Sequence, residues 1–365
     1  MAGSILGKHF TIQTFGESHG EGIGVVVDGC PAGLSLSVAD IQTYLNRRKP
    51  GQSKFATPRK EADEVEILSG VFEGKTTGTP IALLVRNTSQ RSGDYSEIAS
   101  YYRPGHADYP FDEKYGFRDY RGGGRSSGRE TIGRVAAGAI ALKLLKELGI
   151  EICAYTRSIG PVTIDYAKFD KETILSTPTS MPDADASAKA EAYLEECMKS
   201  LDSSGGVIEC VAKGVPAGVG EPVFDKLDAN LGKAIMSIGS VKAFEIGDGI
   251  AVATMKGSEN NDSFVMKDGA VAKATNHSGG ILGGMSDGED IVLRAYIKPT
   301  PSIFKEQNTV NKDGENISVQ IKGRHDPVIV PRAVVVVEAM TALTILDLMI
   351  ENATAKLDNL KKIYE

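Results

Sequence analysis

Short apolar runs bounded by glycine alternate along the chain with longer segments in which apolar residues recur every three or four positions. The short runs predict β-strands, because a buried strand needs only a few branched apolar residues between turn residues. The longer segments predict helices with an apolar face. Predicted strands cover residues 22–29, 65–72, 80–85, 150–156, 206–214, 241–246 and 291–297, and predicted helices cover residues 37–48, 131–148, 183–201, 225–236 and 332–356.

The first predicted helix carries the clearest local signals. Ser37 is a candidate N-cap, with Asp40 three residues later as its capping-box partner. Apolar side chains at Val38, Ile41 and Leu45 fall on one helical face. This face is expected to pack on the core.

Residues 86–129 show neither pattern. The segment is long, polar and rich in glycine, proline, tyrosine and arginine. Long irregular segments inside compact domains are usually functional, so we expect binding residues there. No linker, low-complexity stretch or fixed-period repeat divides the chain. The pattern therefore predicts an α+β fold in which residues 1–365 form a single domain with long inserted loops.

Composition restricts the class of protein further. The 365 residues include 41 Lys and Arg against 48 Asp and Glu, a formal net charge of -7, and no tryptophan. This balance argues against a general nucleic-acid binder. Four scattered cysteines without a Cys-x-x-Cys pair argue against a zinc site or a disulfide framework and favour a reduced, cytoplasmic setting.

Membrane and metal sites are also disfavoured. The most apolar stretch, residues 333–350, is interrupted by Glu338 and Asp347, which favours a buried helix over a membrane span. The first residues lack the apolar core of a signal peptide. No His-x-x-x-His or Glu-x-x-His spacing occurs, so we expect no metal.

Positive charge is concentrated at one point of this acidic chain. Residues 121–129 read Arg-Gly-Gly-Gly-Arg-Ser-Ser-Gly-Arg and lead directly into the predicted helix over 131–148. Arginine forks match phosphate and carboxylate geometry, and a helix N-terminus favours anions. The stretch therefore predicts an anion-binding loop at a helix start.

The histidines are the candidate proton carriers, because their charge changes near neutral pH. His19, His106, His277 and His325 lie in glycine- or charge-rich loops, whereas His9 is interpreted as structural. Each loop histidine could also be a hydrogen-bonded structural residue. A nucleophilic Ser18 is disfavoured, because its glycine-flanked motif precedes a strand instead of following one.

Other basic and glycine-rich segments leave two interpretations open. Residues 47–54, which end the first predicted helix, and residues 298–302, which end a predicted strand, could each bind an anion. They could equally be solvated charge and a proline-stiffened turn. The glycine-rich residues 279–284 match neither Rossmann nor Walker spacing.

Five longer motifs stand out when the chain is considered as a whole. They are Gly16-Glu17-Ser18-His19-Gly20, Arg103-Pro104-Gly105-His106-Ala107-Asp108, Asp119-Tyr120-Arg121-Gly122-Gly123-Gly124-Arg125-Ser126-Ser127, Gly214-Val215-Pro216-Ala217-Gly218 and Gly323-Arg324-His325-Asp326-Pro327. Together these motifs resemble the chorismate synthase family, and they occur in the family's order from the first strand into the C-terminal helix.

The resemblance implies a phosphate-eliminating lyase of the shikimate pathway. The family converts 5-enolpyruvylshikimate 3-phosphate to chorismate by 1,4-elimination of phosphate, the last common step of aromatic amino-acid biosynthesis, and it needs reduced FMN. The resemblance also implies a homotetramer whose subunit is a β-α-β sandwich, with helices packed between two antiparallel sheets.

The family pattern further implies residue roles. His19 protonates the leaving phosphate, His106 acts beside the reduced flavin, and Asp326 assists proton movement near flavin N5. Arg48, Lys54, Arg129 and Arg134 are implied to contact substrate or NADP. FMN contacts are implied for Arg125, Ser126, Ser127, Gly239, Ser240, Gly283, Lys298, Pro299, Thr300, Pro301, Ser302 and Arg324.

The chain departs from the family at a few of these positions. Lys54 stands where many relatives have arginine, which removes a bidentate fork but keeps the charge. Gly239-Ser240 replaces a common Asn-Ala, which puts side-chain contact with flavin there in doubt. Gly128 replaces a frequent alanine.

Alternative functions remain at this point. A different phosphate-handling flavoprotein, such as a nicotinamide-dependent reductase, and an RNA-binding protein using residues 121–129 are the competing hypotheses. Some family members reduce their own flavin with NADPH, and others use an external flavin reductase. The lack of a Rossmann fingerprint favours external reduction.

Overall fold

The computed structural model describes residues 3–51, 53–55, 61–87, 97–121, 123–321 and 326–365. Its α-helices are α1 (Val38–Arg48), α2 (Asp108–Tyr115), α3 (Thr131–Glu147), α4 (Thr173–Ser176), α5 (Ala184–Lys199), α6 (Leu227–Met236), α7 (Gly257–Asn260), α8 (Val330–Asn352) and α9 (Leu357–Tyr364). Its strands are β1 (Ile5–Leu6), β2 (Thr11–Gly16), β3 (Gly22–Asp28), β4 (Val65–Ile67), β5 (Val71–Phe72), β6 (Lys75–Thr76), β7 (Ile81–Arg86), β8 (Glu151–Ile159), β9 (Val162–Thr163), β10 (Gly206–Lys213), β11 (Val241–Ile246), β12 (Phe264–Lys267), β13 (Ala270–Lys273), β14 (Ile281–Leu282), β15 (Met285–Ser286), β16 (Ile291–Ile297), β17 (Glu306–Val310) and β18 (Asn316–Gln320).

Two five-stranded antiparallel sheets organise these strands. The first has the order β1-β2-β3-β7-β4, and the second has the order β11-β16-β10-β8-β9. Burial alternates along β7 and β16, where every second side chain is buried. This period of two is the pattern of strands with one face on the core. Mixed helices and antiparallel sheets confirm the predicted α+β class.

The helices α3 and α8 pack against each other and mainly against different sheets. Helix α3 packs mostly on β2, β3 and β7 and also contacts β8, whereas α8 packs on β8 and β10. Their crossing is close: a Cβ atom added at Gly138 of α3 would lie 2.3 Å from the Cβ of Ala339 in α8. Only a glycine fits this contact without a shift of one helix.

Helix α8 is a core helix. It is long and apolar enough to cross a membrane, but 89% of its apolar 18-residue window is buried inside the fold. Burial to this degree is expected of the central helix of a layered domain. Nothing else in the described part of the chain has the length and composition of a membrane span.

Most predicted elements are confirmed within one to three residues, and the exceptions have local causes. The predicted strand over residues 65–72 is wrong beyond Ile67, because the chain turns at Gly70, and Val71–Phe72 then pairs with Lys75–Thr76. The predicted helix over 332–356 is α8, which ends at Asn352, and α9 after it was not predicted. The irregular segment over 86–129 contains helix α2, and the hairpins β12–β13 and β17–β18 are additional.

Candidate active site

A large cleft opens where the loops before α2 and α3 meet the end of β16 and the start of α8. Its volume is about 1470 Å³. Among the described residues that line it, ten are Lys or Arg and three are carboxylates. We call it the cationic cleft. Its cations are Arg48, Arg103, Lys114, Arg125, Arg129, Arg134, Lys233, Lys242, Lys298 and Arg332, and its carboxylates are Glu61, Glu130 and Asp326.

The cationic cleft brings together most of the side chains that the sequence singled out. Its lining includes Arg48, His106, Arg125, Ser126, Ser127, Arg129, Arg134, Gly239, Ser240, Lys298, Thr300, Pro301, Ser302 and Asp326. Residues from both ends and the middle of the chain therefore converge. His19, Lys54, Gly283 and Pro299 are not among the described lining residues, and Arg324 lies outside the residues that the structure describes.

The arginine–serine loop approaches α3 through two short 3₁₀ turns, Gly124–Ser126 and Gly128–Glu130. Ser127 separates the turns, and its Oγ accepts a hydrogen bond from the Arg129 backbone N–H. The Ser126 hydroxyl donates to the Gly123 carbonyl at 2.8 Å. Both serines thus hydrogen-bond to the loop's own backbone.

Arg125 fastens this loop to the first sheet. Its guanidinium donates to the Thr14 hydroxyl at 2.7 Å, to the Thr14 carbonyl at 3.2 Å and to the Gly16 carbonyl at 3.2 Å. It also donates to Ser4. Several of its donors are therefore occupied by protein oxygens, and its positive charge still borders the cationic cleft.

Arg48 and Arg129 share one buried carboxylate. Asp63 accepts from Arg48 Nη2 through Oδ2 and from Arg129 Nη1 through Oδ1, the latter at 3.2 Å. Burial lowers the pKa of Arg48 to about 10. Burial opposes ionisation of Asp63, but the two guanidinium groups prevail and lower its pKa. Asp63 therefore stays ionised and holds both arginines at the cleft wall.

Arg134 and Arg332 are held in a similar way. Arg134 donates to Glu130 at 2.8 Å and to the Ser237 hydroxyl at 2.6 Å. Arg332 donates to Asp326 at 2.6 Å and, through Nε, to the Arg48 carbonyl at 3.2 Å. Arg134 thereby links α3 to the end of α6, and Arg332 links α8 to the end of α1.

His106 is neutral at the edge of the cleft. Its Nδ1–H donates to the Pro104 carbonyl at 3.0 Å, which leaves Nε2 to accept from the Ser302 hydroxyl at 2.9 Å. Burial, reinforced by the Arg103 guanidinium, lowers the pKa of His106 to about 4. The tautomer and the ring orientation are therefore set by the protein.

The His106 loop packs tightly against the segment after β16. A Cβ at Gly105, which has a φ of 70°, would lie 2.7 Å from the Cβ of Pro301. Lys298 donates to the Gly105 carbonyl at 2.8 Å. Burial and the nearby Lys242 lower the pKa of Lys298. Glycine at 105 thus permits the approach that brings His106 to Ser302.

His19 lies in another loop, between β2 and β3. The His19 side chain is buried, and the Ser18 hydroxyl lies 3.2 Å from its Nδ1. Asn87 donates to two carbonyls of this loop, those of Glu17 and Gly20, at 3.0 and 2.9 Å. His19 is therefore held in a fixed loop.

Several other candidate residues lie elsewhere. Lys54 is exposed and pairs with Glu195 of α5 at 2.7 Å. Gly283 is in the turn of the β14–β15 hairpin. His277 pairs with Asp248 at 2.6 Å, so its structural interpretation is the better one.

Sequence reasoning missed several residues of the site. Arg103 donates two hydrogen bonds to Asp108, both at 2.8 Å, and its position beside His106 in the motif was the available signal. Arg332 was included only as the start of a predicted helix. Asp63 gave no signal, because its role depends on two arginines 15 and 66 residues away.

The donor set fits a large polyanionic cofactor. Buried Arg48 Nε, Arg129 Nε and Thr300 Oγ1 have no hydrogen-bond partner within the part of the chain that the structure describes, and all three residues line the cleft. Unpaired buried donors of this kind normally find a partner in a ligand or water. No group of three or more His, Cys, Asp or Glu side chains in the described ranges could hold a metal ion.

Comparison with known proteins assigns the chain to a family. The family model for chorismate synthase matches residues 10–350. The chain belongs to the chorismate synthase family. It is 70% identical to a chorismate synthase of Lachnoclostridium phytofermentans and 67% identical to one of Agathobacter rectalis, each over the full length of both chains. A crystal structure of chorismate synthase superposes with a TM-score of 0.77 at 32% identity, covering 98% of this chain and 97% of that one.

Membership fixes the type of reaction. Chorismate synthases are lyases (EC 4.2.3.5) that eliminate phosphate from 5-enolpyruvylshikimate 3-phosphate to give chorismate. This is the activity of the chain. The reductase and RNA-binding alternatives are therefore set aside.

Proposed function

We propose that the chain carries out this elimination in the cationic cleft, with reduced FMN and substrate bound side by side. The excess of ten cations over three carboxylates in the wall of an acidic protein is the observation that carries the proposal. The substrate brings a phosphate and two carboxylates, and FMN brings another phosphate. Two polyanions in one pocket require such an excess of fixed positive charge.

The flavin would lie against the residues that the family resemblance assigns to it. Arg125, Ser126 and Ser127 border the cleft on one side, and Gly239, Ser240 and the segment of residues 298–302 border it on another. Gly283 and Arg324 complete the proposed set. Reduced FMN, when bound, supplies the electron that helps phosphate leave and then accepts hydrogen. NADPH is a candidate reductant, and an external flavin reductase is the alternative.

The substrate would lie against Arg48, Arg129 and Arg134. Their guanidinium groups are held in place by Asp63, Glu130 and Ser237, so little side-chain entropy is lost on binding. Lys54 remains a proposed substrate or NADP contact from the resemblance. Its pairing with Glu195 would have to open for that role.

The proton carriers would act from two loops and a helix start. His19 is proposed to protonate the departing phosphate, and Asp326, oriented by Arg332, to move a proton near the flavin. His106 is neutral and presents Nε2 to the Ser302 hydroxyl. An anion bound nearby would raise the pKa of His106, which favours the protonated ring.

The quaternary and domain arrangement is part of the proposal. We propose one domain over residues 1–365, a sandwich with α3 and α8 between the two five-stranded sheets, assembled as a cytoplasmic homotetramer. Buried side chains from both sheets and both helices belong to one hydrophobic cluster, which supports the single domain.

Anaerobic titration of reduced FMN tests the binding part of the proposal. Wild-type protein should bind reduced FMN more tightly when substrate is present, and Lys298→Met should weaken flavin binding. The control is Lys305→Met, which removes an exposed cation paired with Asp202 outside the cleft. Equal affinities for Lys298→Met and the control would contradict the proposed flavin position. Steady NADPH consumption without phosphate release would support the reductase alternative instead.

A further inference from the structure

Asn87, directly after β7, contacts two parts of the proposed site at once. Its Oδ1 accepts from Arg129 Nη2 at 2.8 Å. Its Nδ2 donates to the Glu17 and Gly20 carbonyls, which flank His19, at 3.0 and 2.9 Å. The partners fix the amide orientation, because carbonyls only accept and a guanidinium only donates.

The backbone of Asn87 adds a further tie to the same loop. Its N–H donates to the Glu21 carbonyl at 3.0 Å. The loop closes on itself with a bond from the Gly20 N–H to the Glu17 carbonyl at 3.1 Å. Asn87 therefore connects the loop at residues 17–21 to the side chain of Arg129, which lies more than one hundred positions later in the sequence.

We infer that Asn87 is a positioning residue that holds the His19 loop and Arg129 in a fixed relation to each other. The inference rests on the proposed roles of His19 as proton donor and Arg129 as substrate contact. If these two groups meet the same substrate, a shift of about 1 Å between them costs on the order of 10²-fold in rate. Nothing assigned to the family by resemblance includes Asn87.

The chemistry of the amide explains why asparagine serves here. The site needs one acceptor facing a cation and a donor group facing two carbonyls, and an amide supplies both on one short side chain. Aspartate has the same shape and keeps the acceptor for Arg129. It has no donor, so its oxygen would face the Glu17 and Gly20 carbonyls with repulsion. Alanine removes both halves of the contact.

This asymmetry gives the two variants different kinetic signatures. Asn87→Asp should lower kcat for phosphate release by about 10- to 100-fold, with KM for the substrate within about threefold of wild type, because Arg129 stays in place. Asn87→Ala should lower kcat similarly and also raise KM. Asn260→Asp, at a half-buried asparagine outside the cationic cleft, is the matched control and should change neither constant.

Coupling to His19 separates positioning from general structural damage. In a His19→Ala background, Asn87→Asp should lower kcat by less than about twofold, because the group it positions is gone. Amide hydrogen exchange of residues 17–21 should be faster in both Asn87 variants, with thermal midpoints near that of wild type. This readout does not depend on activity.

The outcomes are distinguishable. Wild-type kcat in Asn87→Asp, or its full effect persisting in the His19→Ala background, would overturn the inference. Wild-type protein that releases no phosphate would overturn the proposed function, while faster exchange at residues 17–21 in the variants would still establish the physical tie.

Discussion

At the scale of single residues, His106 shows how the cleft sets a protonation state. Burial and the Arg103 guanidinium lower its pKa to about 4, and the Pro104 carbonyl fixes the proton on Nδ1. Nε2 is therefore unprotonated at neutral pH and accepts from the Ser302 hydroxyl. The proposed anionic ligands, bound beside this ring, would act in the opposite direction from Arg103 and couple their binding to proton uptake.

The depressed pKa of His106 predicts a pH-dependent contribution to stability. Its pKa is 6.5 in the unfolded chain and about 4 in the folded one. The folded state therefore binds fewer protons between these values, and stability falls as the pH drops from 6.5 to 4, by up to about 3 kcal/mol. Urea unfolding of wild type and His106→Gln should show the larger loss in wild type. Parallel pH profiles would contradict the buried neutral ring.

Asp63 offers a second prediction at the same scale. Asp63→Asn leaves Arg48 buried without its counter-charge, which should lower the free energy of unfolding by about 3–5 kcal/mol. The double variant Arg48→Leu/Asp63→Asn should be more stable than Asp63→Asn alone, because the orphaned charge is gone. Urea unfolding measures both. Additive losses in the double variant would refute the shared carboxylate.

At the scale of elements, the crossing of α3 and α8 is the closest constraint. Gly138→Ala would place a Cβ 2.7 Å from the Cα of Ala339, against backbone and not against a flexible side chain. We expect a loss of about 1–3 kcal/mol in unfolding free energy. Gly257→Ala in α7, where nothing lies within 4 Å, is the control and should be neutral or slightly stabilising. Equal stabilities would show that the crossing is looser than described.

The elements also show what periodicity can predict. Strands β11 and β16 match their predicted bounds, because an apolar run between turn residues is a local signal. The break after Ile67 was missed, because it depends on β4 pairing with β7 while the next residues form their own hairpin. Helix α2 was missed because its residues are mostly polar or aromatic and its apolar face is weak.

At the scale of the whole molecule, the local charge around the cleft is opposite in sign to the net charge of the chain. A chain of net charge -7 gathers ten cations around one cleft. Fixed charge of this kind steers anionic ligands and is screened by salt. We expect KM for the substrate to rise several-fold between about 0.05 and 0.5 M monovalent salt, and Arg129→Met to weaken the dependence. A salt-independent KM would argue against electrostatic steering by the cleft.

The candidate site was predictable where residue type carried the chemistry. The arginine–serine loop, His106 and the segment over residues 298–302 were found from their sequence, and all of them except Pro299 contribute to the lining of one cleft. The pairing of Lys54 with Glu195 was not predictable, since it joins residues 141 positions apart on the protein surface. The hydrogen bonds of Asn87 were missed for the same reason, because its partners are brought together only by the fold.

Anaerobic phosphate release is the measurement that tests the central claim most directly. Purified protein with reduced FMN and 5-enolpyruvylshikimate 3-phosphate should release phosphate and form chorismate in equal amounts, and oxidised FMN alone should support neither. Arg129→Met should reduce the rate strongly, whereas Lys305→Met should not. Absence of phosphate release by wild-type protein with reduced FMN, or an Arg129→Met variant as active as wild type, would contradict catalysis in the cationic cleft.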